Sequence, residues 1–205
     1  MINRILEYLD FLYDDPKCEL NYTKDYELLI AIVLSAQTTD KMVNRVTSVL
    51  FNNYKSLLEI SNANIEDIEN IIREIGTFRK KSMYVLGIAS KMVSDGYDYV
   101  PNDREYIESL PGVGRKSANV FLSNIYNEPA IAVDTHVSRV SKRLGLVNKN
   151  DDVVIIEKKL QKKIPKDRWT RTHHQMVLFG RYHCKAIKPN CIDCRLNDIC
   201  KYKKG

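Results

Sequence analysis

Cys184, Cys191, Cys194 and Cys200 fall within 17 residues and read C-x6-C-x2-C-x5-C. Four thiols crowded into one stretch, in a chain without an export signal, point to a bound metal rather than to disulfides. A [4Fe–4S] cluster and a zinc ion both accept four cysteines. Zinc ribbons pair two C-x2-C knuckles, and only one is present here, so the spacing favours the cluster. Cys18 lies far away in sequence and reads as a plain thiol.

Leu110-Pro111-Gly112-Val113-Gly114-Arg115-Lys116 is the second constellation. It reads as a tight turn between two helices, with Gly112 and Gly114 allowing positive φ and close approach of a ligand. The turn would open a helix at Arg115, whose first amides lack intrahelical partners and carry the positive end of the dipole. Such an end binds phosphate without reading any base, which is how a helix–hairpin–helix grips DNA. Lys116 falls in the first turn of that helix. A helix N-terminus, neighbouring Arg115 and burial against DNA all favour its neutral amine, a nucleophile able to form a Schiff base at a sugar C1′. From the local sequence alone a lysine contacting phosphate is the better reading, and partner residues must decide between the two. The third constellation is Val133-Asp134-Thr135-His136. Asp134 is placed to cap the following helix, and a capping carboxylate that keeps one oxygen in a cleft can also take a proton or balance charge. His136 reads as a residue of the helix face.

The elements that must hold these residues are helices. Ile2, Ile5, Leu6, Leu9 and Leu12 make one stripe, ended by Asp14-Asp15-Pro16. Residues 26–36 are nearly all apolar, as in a helix buried on every side. Further helices are expected over 40–51, over 65–75 with Gly76 as C-cap, and over 82–93, 103–109, 115–126, 135–144, 152–163 and 168–182. No sustained alternation of period two occurs, so the class is all-α.

Charge divides the chain. Residues 1–138 hold 14 Lys and Arg against 20 Asp and Glu, a net of −6, whereas residues 139–205 hold 18 against 6, a net of +12. The basic part includes Arg139, Lys142, Arg143, Lys149, Lys158, Lys159, Lys162, Lys163 and Lys166, then Arg181, Lys185, Lys188, Arg195, Lys201, Lys203 and Lys204. A face for a polyanion and a set of solvated lysine-rich helices explain this equally well. Composition is that of a globular protein, with no internal repeat or low-complexity tract. Arg4, Glu7 and Asp10 interrupt the N-terminal stretch, and no run approaches the roughly 18 apolar residues of a membrane helix. The expected location is the cytoplasm, with the nucleoid in a bacterium.

LPGVGRK, VDTH, GRYHC (residues 180–184), the cysteine spacing and LLIAIVLSAQTTD (residues 28–40) together resemble the endonuclease III family of DNA glycosylase/lyases. The resemblance runs over nearly the whole chain. It implies a helix–hairpin–helix glycosylase fold: a six-helix barrel over 18–128, with the hairpin motif at about 103–126, and a cluster domain made of 1–17 and 129–205. DNA is then expected in the cleft between. Lys116 and Asp134 match the family's catalytic pair, the four cysteines its [4Fe–4S] ligands, and Gln37 a residue that fills the gap left by an extruded nucleotide. The implied partner is double-stranded DNA with damaged bases or abasic sites, handled by a monomer. One departure stands out. After Ile75-Gly76 the family often places a wedging leucine, and here Thr77 and Phe78 follow, so either Phe78 takes over as wedge or strand separation relies more on Gln37. Two other readings share some of these features. A monofunctional mismatch glycosylase would lack the lysine at 116 and carry a further domain, and a non-catalytic DNA-binding or redox-sensing iron–sulfur protein would not need Asp134.

Overall fold

Short polar residues cap helix after helix along this chain. In the computed structural model, which describes residues 1–202, Thr39, Ser56, Asn64, Asp103, Asp134 and Asp152 each accept a backbone N–H at the start of a helix. Lys203 and Lys204 lie outside the described residues. The helices are α1 (Ile2–Leu12), α2 (Asp25–Leu34), α3 (Asp40–Asn53), α4 (Leu57–Ser61), α5 (Ile65–Ile71), α6 (Phe78–Ser94), α7 (Arg104–Ser109), α8 (Arg115–Ile125), α9 (Thr135–Arg143), α10 (Val153–Lys163) and α11 (Trp169–Leu178). A 3-10 turn at Lys166–Arg168 precedes α11, and a wide π-turn at Phe179–His183 follows it. No strand occurs among the described residues, so the all-α expectation is met. No helix among them is long and apolar enough to cross a membrane.

The chain forms two units, residues 19–126 and residues 1–18 with 127–205. Within 19–126, α2 is the central element. Every residue from Tyr26 to Leu34 is buried, which is why its sequence lacks a polar face. It packs against α3, α6 and α8. Its start is fixed by Glu27, whose Oε2 accepts from Thr23 N (2.7 Å) and Lys24 N (3.2 Å). The short α4 was not expected from periodicity; Leu57 and Ile60 bury it against α6. The helix expected over 65–75 ends earlier, at Ile71, and Gly76 is not its cap. Thr77 takes the left-handed conformation instead (φ 56°), and α6 begins at Phe78, four residues before the expected start.

In the other unit, Ile5 and Leu9 of α1 meet Ile131, Val137, Val140, Ile156, Leu160, Phe179 and Leu196 in one core. Asp10 joins α1 to the start of α11. It accepts from Arg168 (2.8 Å), Arg171 (3.0 Å) and Gln175 (2.9 Å). Burial pushes the Asp10 carboxyl up, but the donors Gln175, Arg171 and Arg168 outweigh it and hold the pKa below the ordinary carboxylate value. Arg4 reaches the cysteine-bearing loop, donating to both Asp198 oxygens (2.6 and 2.8 Å) and to the Arg195 carbonyl (2.8 Å).

Candidate functional site

The hairpin is built by two turns in series: Leu110 N donates to Ile107 O (3.2 Å) and Val113 N to Leu110 O (3.1 Å). Gly112 has φ 78°, and a Cβ there would stand 2.5 Å from the Tyr84 ring, so this position tolerates only glycine. Gly114 differs from expectation. Its φ is −111°, not positive, and a Cβ on it would enter open space. One glycine therefore serves the turn, and the other leaves the approach to α8 unobstructed. The α8 N-terminus carries no side-chain cap, in contrast to α3, α7 and α9. The first α8 bond shown at Gly114 runs from Ala118 N to its carbonyl (3.0 Å). An uncapped helix end beside an open glycine is an anion site in the making. Arg115 and Lys116 are both exposed at that end.

Asp134 does cap α9: its Oδ1 accepts from Val137 N at 2.7 Å. The side chain is only half-buried, and no hydrogen bond among the described residues engages its second oxygen. His136 is the second residue of α9, and its Nδ1 lies 3.2 Å from a guanidinium nitrogen of Arg139. Burial lowers the His136 pKa, Arg139 and Arg181 add to this, and Asp134 opposes it. Lys116 and Asp134 thus sit at the N-termini of two helices, one in each unit.

Gln37 stands exposed in the turn between α2 and α3, with φ 55°. Phe78 is half-buried at the first position of α6, with the Arg79 guanidinium 5.0 Å from its ring centroid. Both belong to the 19–126 unit.

Cys184, Cys191, Cys194 and Cys200 form no disulfide. The loop that carries them wraps the buried Leu196 and is held by α9. Arg143 donates to the carbonyls of Lys185 (2.7 Å) and Ala186 (3.1 Å) and lies 3.4 Å from Cys184 Sγ. Its own carbonyl accepts from Lys201 N (2.8 Å) and faces Cys200 Sγ (3.3 Å). Arg139 donates to the carbonyls of Gly180 (2.6 Å) and Cys184 (3.1 Å). These two arginines therefore build the loop; the sequence had offered them only as part of a basic face. Lys149, Lys158, Lys162, Lys163, Lys166, Lys185, Lys188 and Arg195 remain exposed. Burial pushes the Cys194 thiol up, and Cys184, Cys200 and Cys191 push it further, so the four sulfurs feel one another. Ionising the four together would need a cationic group among them. Among the described residues no three Cys, His, Asp or Glu side chains are grouped tightly enough to hold a single metal ion. Four thiols on one loop are a donor set that a polynuclear iron group accepts.

A helical fold whose hairpin presents an uncapped helix end and an adjacent lysine has the form of a helix–hairpin–helix protein. The profile of the HhH-GPD superfamily, base excision DNA repair proteins, matches residues 30–166. Endonuclease III of Bacillus subtilis (strain 168) is 43% identical over 196 residues, covering 96% of this chain and 90% of that protein. Among solved structures, a trapped endonuclease III–DNA covalent intermediate superposes with a TM-score of 0.93, and a non-covalent endonuclease III–DNA complex with 0.94. Each is 46% identical and covers 98% of this chain and 94% of the other. The chain belongs to the HhH-GPD superfamily of base excision DNA repair proteins, within its endonuclease III family. The non-catalytic and monofunctional readings are not favoured.

Proposed function

We propose that this protein is a bifunctional enzyme of base-excision repair, a DNA N-glycosylase that removes oxidised pyrimidines from duplex DNA and an AP lyase that then cuts the strand 3′ to the abasic site. The observation that carries this reading is the hairpin, where an uncapped α8 N-terminus stands beside an open Gly114 and an exposed Lys116. The amides after Gly114 take a backbone phosphate, and Arg115 adds charge. The damaged nucleotide is extruded, with Gln37 filling the gap in the duplex and Phe78 wedging the stack. Lys116 gives up a proton and attacks C1′, and the bond from C1′ to the base breaks as the base leaves with a proton. Opening of the sugar yields a Schiff base. Loss of a C2′ proton then expels the 3′ phosphate, and hydrolysis of the imine releases Lys116. Asp134, through the oxygen not used for capping, accepts a proton or balances positive charge at C1′. A covalent endonuclease III–DNA intermediate has been trapped in a relative 46% identical to this chain; here we assign the protein side of such a bond to Lys116.

To Cys184, Cys191, Cys194 and Cys200 we assign a [4Fe–4S] cluster. When bound it supplies loop closure rather than bond-breaking chemistry, and the loop it closes presents Lys185, Lys188 and Arg195 to phosphate. The test is a gel assay on duplex carrying a single oxidised pyrimidine or abasic site. Strand scission on both substrates is expected. Base release without scission would leave only the glycosylase, and no reaction on either would remove the enzyme reading.

A further inference from the structure

The turn at Gln37 and the turn at Thr77 hold two of the non-glycine residues with positive φ, 55° and 56°. Such backbone is disfavoured for side chains of this kind and persists only where neighbours fix it. One residue touches both turns. The backbone N–H of Lys81 donates to Thr77 O (3.1 Å), the first bond of α6. Its ammonium donates to Ala36 O (2.6 Å) and to Thr38 Oγ1 (3.0 Å), the residues on either side of Gln37. Thr38 Oγ1 in turn donates to Ala36 O (3.3 Å), closing a triangle around the base of Gln37. Lys81 is 3% exposed and lies on the core face of α6 with Val85, Ile88 and Met92. Burying an ammonium there is costly, and burial lowers its pKa with no carboxylate to offset it. A lysine maintained at such a position is spent on the carbonyl and hydroxyl it holds, since any apolar residue of similar length would fill the space more cheaply.

From this geometry we infer that Lys81 is a positioning residue that ties the Gln37 turn to the Thr77–Phe78 turn, setting the spacing at which the two enter a damaged duplex. This rests on the reading above, in which those two turns open the DNA. Lys81 does not touch the reacting atoms; it fixes the backbone from which Gln37 projects.

The experiment compares excision of an oxidised pyrimidine from duplex with borohydride trapping on a single-stranded abasic oligonucleotide, where no stack has to be opened. Lys81→Met is expected to slow duplex excision roughly tenfold or more while changing single-strand trapping by less than about twofold. Added to Gln37→Ala, it should cost little further, because both act through the same side chain. Equal losses on both substrates, or fully multiplicative losses in the double variant, overturn the inference. Should Lys81→Met fail to fold, Thr38→Val decides: it removes one corner of the triangle, and a smaller duplex-specific loss, largely restored in Thr38→Ser, is expected. Duplex activity in Thr38→Val equal to wild type overturns the tie. A normal Gln37→Ala would remove the gap-filling role and this inference with it, whereas a slow Gln37→Ala beside a normal Lys81→Met would remove the tie alone.

Discussion

In the unit of residues 19–126 the chain is continuous, and its centre, α2, is buried from Tyr26 to Leu34 by neighbours made of the same stretch of sequence. In the other unit the chain arrives in two pieces, and polar side chains do much of the joining. Asp10 gathers Arg168, Arg171 and Gln175, Arg4 pins Asp198, and Arg143 holds a loop that has almost no helix of its own. The first unit carries the hairpin on apolar packing and adds one buried polar tie, Lys81, at the Gln37 turn. The second places its cysteines in a loop in which Leu196 is fully buried, and the cluster proposed above would close that loop.

The largest expected effect breaks the comparison at that loop. Structural metals contribute on the order of 10 kcal/mol to the folds they close, comparable with the whole stability of a domain. Cys191→Ser should therefore yield protein deficient in iron, with fast amide exchange over 127–202, slower exchange preserved over α2 and α8, and DNA affinity down by more than about tenfold. Metal analysis that finds one zinc and no iron in the wild type would remove the cluster assignment. Within the first unit, the two hairpin glycines should separate. Gly112→Ala places a Cβ against Tyr84 at positive φ and should cost about 2–4 kcal/mol by denaturant unfolding. Gly114→Ala should change stability by less than about 1 kcal/mol yet weaken DNA binding, because its methyl group occupies the approach to the amides. Equal stability losses in the two variants would contradict the division of roles.

The smallest effect concerns Asp10. Its folded-state pKa is depressed, so its contribution to stability is present above the ordinary carboxylate range and is lost as pH falls through the folded value. Asp10→Asn should lower the Tm modestly at pH 7, and the gap from wild type should narrow as pH drops below about 4. A gap that stays constant down to pH 3 would mean that packing, not charge, joins α1 to α11.

Much of this was legible in the sequence because it is local. The apolar run over 28–34 announced a central helix, LPGVG announced a hairpin, and Asp134 announced a cap, each within a few residues. What escaped depends on contacts between distant residues. Nothing near Arg139 or Arg143 reveals that their partners lie some 40 residues on, in the cysteine loop. Gly76 looked like a helix end, but Thr77 adopts the left-handed turn because α6 starts at once and Lys81 bonds back to it. Lys81 itself left a signal that went unused. It falls on the i, i+4, i+7 stripe with Val85 and Ile88, where a lone lysine in a core face asks for a polar partner.

The central claim is that Lys116 is the nucleophile and Asp134 its partner, and the most direct test is reductive trapping. Borohydride added during turnover on duplex containing an oxidised pyrimidine should reduce the Schiff base and leave protein covalently joined to DNA. Lys116→Gln should abolish both trapping and strand cleavage while keeping most of the DNA binding, since the hairpin amides are untouched. Asp134→Asn should keep the α9 cap and the fold but slow base excision by roughly a hundredfold, because an amide caps a helix yet neither takes a proton nor balances charge. Undiminished trapping in Lys116→Gln would place the nucleophile on another amine and contradict the account.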